Sequence, residues 1–239
     1  MNSFQFEQVT AAVNDILTAK YRTPFALSRT VIVRLDEDKK YLVYSPGEPL
    51  LEQAQEIIAK EAEVIVVAPS LGHTLGVASW LNAFPNARLV ATEATMEKLA
   101  KQGLTGMKYS KPESLHLELP EHLGIYRLPD CTSGEIWVTI ARQDRTFWLA
   151  CDGVMNLPAF SESFIKKLLQ RIYGLKLGLW ITPAFISNIT DKGQFKAWVK
   201  KWLNEAERPV LIPCHGDVYL DQDLEDRLIQ LLEKRLKVG

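Results

Sequence analysis

Four histidines are present, and two of them stand where reactive groups are usually carried. His73 follows the apolar run 64–67 in VIVVAPSLGH, and His215 follows the apolar run 210–212 in PVLIPCHGD. Loops at strand ends are where rigid scaffolds place functional side chains. Two further loops of this kind are visible. FWLACDGVMNLP puts Asp152 after the run 146–150, and RLPDCTSG puts Asp130 and Cys131 after the run 124–128. Two imidazoles, a carboxylate and a thiol are donor types that suit zinc, and three protein ligands with water in the open position make a catalytic site. The spacings are wide, so the residues alone leave a second reading open. In it His73 and His215 cap helices or bond backbone, and Asp152 closes a turn. His116 and His122, in the charged stretch ESLHLELPEHLG, read as solvent-facing.

Several elements must bring these loops into place. Phe6, Val9, Val13, Ile16 and Leu17 recur at helical spacing, which predicts an N-terminal helical extension over residues 1–24, ending before Pro24. Two β-rich runs, 30–35 and 41–44, flank a polar turn and predict a hairpin closed by Ser45-Pro46-Gly47. A helix follows through Leu51, Ala54, Ile57 and Ile58, then the buried strand 64–67, a helix with Val77, Trp80, Leu81 and Phe84, a strand at 88–91 and a helix over 93–101. The runs 115–119, 124–128, 135–141 and 146–150 predict an antiparallel meander. Helical patterns at 161–173 and 194–205, a strand at 210–212 and a last helix with Leu224, Leu228, Leu231 and Leu232 complete the chain. Such an order favours sheets covered by helices.

Bulk properties narrow the classes. Hydrophobic residues make up 47% and charged residues 24% of 239 residues, ordinary for a globular protein, and no linker-like stretch divides the chain, so one domain over 1–239 is expected. A net charge of −1 gives no reason to expect nucleic acid or an anionic membrane as partner. The odd set of three separated cysteines argues for a reducing compartment. The opening MNSFQFEQVTAAVNDILTAKY has no basic head and apolar block, and no apolar run approaches the ~20 residues of a membrane span. A cytoplasmic address is the expectation.

Taken in order, the strand-end loops resemble the motifs of the metallo-β-lactamase superfamily over residues 30–217. VVAPSLGHTLGVASWL stands where that family has His-x-His-x-Asp-His opening a helix, with His73 matching the last histidine. DCTSGE resembles the Gly-His-Thr-x-Gly loop with Cys131 in the histidine slot, LACDGV the strand ending in the bridging aspartate, here Asp152, and IPCHGD the closing Pro-x-His-Gly, here His215. YSPGEP, FPNARLVA and DGVMNLP point to a divergent branch of the superfamily with a degenerate metal motif. The resemblance implies an α/β (α+β) fold, a four-layer αβ/βα sandwich of two mixed sheets packed face to face with helices outside.

It also implies which metal positions survive. Ala68 and Ser70 replace the first two histidines, Gly72 replaces the motif aspartate, and Cys131 replaces the later histidine. One family site is thereby reduced to Cys131. The other retains His73, Asp152 and His215, a sufficient set for one zinc, iron or manganese ion, with Cys131 as a candidate fourth ligand. The first expectation is a mononuclear metal-dependent hydrolase acting on a small-molecule substrate through metal-bound water, with Asp152 and Asp217 in catalytic roles and Asn156 and Asp130 contacting substrate. The competing expectation is a metal-free member of the fold that binds a ligand or partner without catalysis. A third reading makes Cys131 a nucleophile or redox thiol. Cys151 and Cys214 neighbour Asp152 and His215, so alternation along a strand predicts that both face the core. The segment 158–183, with Phe164, Ile165, Leu168, Leu169 and Ile172 at helical spacing, is expected to pack on the domain, the alternatives being a lid or a homodimer surface.

Overall fold

Val13, Ile16, Ala19 and Tyr21 are buried along an extended segment, where the spacing of Phe6, Val9, Val13, Ile16 and Leu17 predicted a helix. Residues Glu7–Thr10 (β1) and Val13–Arg22 (β2) are strands, and β2 pairs antiparallel with Leu27–Asp36 (β3), placing Ile16 opposite Val33 and Ala19 opposite Thr30. The expected helical extension over 1–24 is therefore corrected. Its apolar residues fit either period. Three of them, Val9, Val13 and Ile16, are β-branched, as is the neighbouring Thr10, and the long pairing with β3 supplies a hydrogen-bond partner that no local signal reveals.

The computed structural model describes residues 5–23, 26–36, 39–159, 168, 172 and 174–237. The chain forms two compact units, Met1–Glu118 and Leu119–Gly239. In the first, β3 pairs antiparallel with Lys40–Tyr44 (β4), as the hairpin signal predicted. The chain then alternates through Leu51–Ile57 (α1), Glu63–Val67 (β5), Val77–Ala83 (α2), Ala87–Val90 (β6), Glu93–Lys101 (α3) and Tyr109–Ser110 (β7). Strands β4 to β7 run parallel, in sheet order β1-β2-β3-β4-β5-β6-β7. Tyr41, Val43, Val64 and Val66 pack with Ala54, Ile58, Val77, Trp80 and Phe84. Their alternates Leu42, Tyr44, Ile65 and Val67 are buried too, which is why these strands read as unbroken apolar runs.

The second unit holds a meander of three strands where four were expected: Leu123–Arg127 (β8), Ile136–Arg142 (β9) and Arg145–Ala150 (β10). The run 115–119 is instead preceded and partly occupied by the short helix Pro112–His116 (α4) of the first unit, because Pro112 suits the first helical position and Leu115 buries as its inward residue. Met155–Leu157 (β11) pairs with Gly178–Trp180 (β12) in a two-stranded ribbon. Pro183–Ser187 (α5) and Lys192–Glu205 (α6) follow, then Val210–Pro213 (β13) and Leu224–Arg235 (α7). Strand β13 joins β10 in parallel, giving the order β13-β10-β9-β8. Trp137 and Trp148 lie with ring centroids 5.9 Å apart and pack with Phe185, Phe195, Val199, Leu228 and Leu232 from the helices.

Of the segment 158–183, Phe164, Ile165 and Leu169 lie outside the described residues, while Leu168 and Ile172 are helical and exposed. No helix among the described residues is long and apolar enough to cross a membrane.

Candidate metal centre

The register of β10 and β13 sets the geometry in the second unit. Ala150 stands opposite Pro213, so the two chains leave the sheet level with each other. Two residues on from these ends are Asp152 and His215, and their side chains meet, Asp152 Oδ1 lying 3.2 Å from His215 Nε2. Both are partly accessible, at 31% and 13% of their side-chain surface. The intervening Cys151 and Cys214 are buried, as expected of them. Burial, and then a hydrogen bond to Cys214, hold the Cys151 thiol well above its ordinary range.

Each loop is fastened by backbone. Asn156 N donates to the His215 carbonyl, Asp217 N donates to the Asn156 carbonyl, and Asn156 Nδ2 donates to the Asp217 carbonyl. Between them, Gly216 takes φ +97°, and a Cβ there would stand 1.8 Å from the Asn156 carbonyl oxygen. The Gly of the HGD motif is thus required by both conformation and space. Asn156, expected to contact substrate, spends its amide on this loop.

The Asp152 loop has a different fastening, which sequence reasoning missed. Glu135 is fully buried, and its Oε1 accepts from Trp137 Nε1 (2.6 Å), Cys151 N (3.2 Å) and Gly153 N (2.9 Å). Its Oε2 has no hydrogen-bond partner among the described residues. Burial, and then the nearby Asp152 charge, push the carboxyl up to about 8. A glutamate at the start of the run 135–141 carries no local sign of burial.

In the first unit, His73 is buried and its Nδ1 lies 2.8 Å from Ser45 Oγ. Ser45 directly follows β4 with φ +57°, a conformation uncommon for a non-glycine residue. The turn is pinned on three sides: Ser45 N donates to Val67 O, Thr30 Oγ1 donates to Ser45 O, and Trp80 Nε1 donates to Gly47 O. The sequence showed SPG as a turn; its pairing with a histidine 28 residues away depends on the β4–β5 register.

The remaining candidates have other surroundings. Ala68 and Ser70 are buried, and Ser70 Oγ accepts from Gly72 N. Cys131 is buried with Leu128, Trp137 and Ile189, its Sγ is 3.0 Å from Ser133 Oγ, and burial, then the Glu135 charge, pushes its thiol up. Among the described residues Cys131 does not share one ligand cluster with Asp152 and His215. Asp130 is left-handed at φ +53°, its carbonyl accepts from Thr190, and its Oδ2 is buried with no hydrogen-bond partner among the described residues. His116 and His122 are exposed.

No protein-family model and no curated protein sequence matches the chain. Solved structures match it over nearly its whole length. The DIM-1 metallo-β-lactamase superposes with a TM-score of 0.62 at 15% identity, covering 97% of each chain. The metallo-β-lactamase FIM-1 from Pseudomonas aeruginosa, in a mono-zinc form, gives 0.62 at 16% identity over 98% of this chain and 97% of its own. VMB-1 gives 0.63 at 14% identity over 99% and 100%. The chain has the metallo-β-lactamase fold. Identities this low mark it as a divergent example, and within the metallo-β-lactamase fold the strand-end loops of His73, Asp152 and His215 carry the side chains of metal-ligand type described above.

Proposed function

We propose that Asp152 and His215, with His73 as the motif resemblance implies, hold one divalent ion and that the protein is a mononuclear metal-dependent hydrolase of small molecules. The observation that carries this reading is the pairing of Asp152 with His215 at the matched ends of β10 and β13, with both side chains partly accessible. The donor chemistry of this set fits one ion. Two imidazoles and a carboxylate are a sufficient set for zinc, iron or manganese. Ala68 and Gly72 offer no donor atom, Ser70 Oγ is engaged by the Gly72 amide, and the Cys131 thiol is buried in the core, so Cys131 is left out of the proposed set. A mono-zinc form of FIM-1 is a precedent for single-ion occupancy on this fold.

When bound, such an ion supplies Lewis acidity, polarising a carbonyl or phosphoryl group and acidifying a coordinated water. The chain's own residues supply orientation. Ser45 Oγ lies 2.8 Å from His73 Nδ1; with the ring nitrogen as donor, this contact would hold the tautomer whose Nε2 lone pair is available to coordinate, the usual outer support of a ligating histidine. The Asp152 carboxylate orients the proton of an attacking water, and Asn156 holds the His215 loop in place.

A metal-free reading is favoured by the same contact: a His215–Asp152 hydrogen bond ties two loops together without any ion. Metal analysis separates the two. Protein purified without chelator is expected to carry about one equivalent of zinc, iron or manganese, reduced to background in His73→Ala and in His215→Ala. Wild-type protein that carries none, and takes up none on dialysis against each ion, would leave the metal-free reading.

A further inference from the structure

We propose that Glu135 is the positioning residue of Asp152: one carboxylate oxygen grips the chain on both sides of that aspartate and so sets its aim toward His215. This rests on the reading of Asp152 as a metal ligand. Glu135 Oε1 accepts from the amides of residues 151 and 153, which brackets the φ and ψ of residue 152 without touching its side chain. Two attachment points at i−1 and i+1 fix the direction of the Cα–Cβ bond between them. The carboxylate is itself immobilised, because Trp137 Nε1 donates to the same oxygen and Trp137 is wedged against Trp148 and Phe195. Gly153 permits the close approach, since a Cβ there would meet Glu135 Oε1 at 2.9 Å and the Phe185 ring at 3.0 Å.

The arrangement is costly for a mere turn. A fully buried carboxyl with Oε2 unpartnered is a feature that packing alone selects against, and such features collect where geometry matters to function. Ligating carboxylates are commonly oriented by outer hydrogen bonds, and loss of such support typically weakens metal binding 10–100-fold. Here the support acts through the backbone, so reach and acceptor capacity matter and charge does not.

Two variants divide these properties. Glu135→Gln keeps the length and the accepting oxygen; Glu135→Asp keeps the carboxyl group and loses one methylene of reach. Co(II) titration of metal-stripped protein, followed by its visible ligand-field spectrum, is read alongside hydrogen exchange at the Cys151 and Gly153 amides. E135Q should bind Co(II) within about threefold of wild type with the same spectrum and protected amides. E135D should bind roughly 10–100-fold more weakly, with an altered spectrum and faster exchange at both amides. Wild-type affinity and spectrum in E135D, or an equal loss in E135Q, would overturn the proposal. If wild-type protein binds no Co(II), the metal reading fails by itself and amide exchange decides the role of Glu135: unchanged protection in E135D overturns it. Should E135D fail to fold, a folded E135Q that loses Co(II) affinity does the same.

Discussion

Glu135 and Ser45 show how much of this site depends on residues that never face a substrate. One is a buried carboxyl gripping the Asp152 loop; the other is a left-handed serine against His73 Nδ1. The carboxyl has a consequence for stability. Its folded-state value, about 8, lies above the ordinary 4.5, so folding favours the protonated form. Its contribution is fully present below pH 4.5 and is lost as pH rises through 8. In chelator-treated protein, the melting temperature of wild type should therefore fall relative to that of Glu135→Gln between pH 5 and pH 9. Parallel pH profiles for the two proteins would show that Glu135 does not titrate there. Donor types were readable in the chain: His73, Asp152 and His215 stand just past apolar strands, and that placement holds. Their supporting partners were not, because Ser45 is 28 residues from His73 and Glu135 is 16 and 18 residues from the amides it holds.

At the scale of elements, the parallel strands and their helices were legible because both faces are buried and the apolar runs are continuous. Strand β2 was not. Its apolar positions satisfy a helical spacing, and only pairing with β3 decides in favour of the extended form. Ile16, fully buried opposite Val33, tests that assignment. Ile16→Ala should cost about 2–5 kcal/mol in urea unfolding, the range for an aliphatic truncated in a packed core. A cost near zero would place residue 16 on a solvated surface. The 115–119 run misled in the opposite direction, as Pro112 and Leu115 build a short helix from residues that also alternate.

For the whole molecule, the proposed metal-binding reading predicts that added metal stabilises the folded protein. Zinc at about 100 times its Kd should add about 2.7 kcal/mol to the stability of chelator-treated protein, read as a rise in melting temperature that excess chelator reverses. Both His73→Ala and His215→Ala should abolish that rise. A shift that survives either substitution would remove that histidine from the set.

What the sequence alone determined was the donor inventory, the strand-end loops that carry it and the depletion at Ala68, Ser70 and Gly72, because side-chain chemistry and hydrophobic period are local properties. Only the tertiary structure decided that residues 7–10 and 13–22 join a sheet, that the Asn156 amide fastens a loop and that Glu135 is buried. Those outcomes depend on strand register and on which groups lose contact with water, and both are settled by partners far away along the chain.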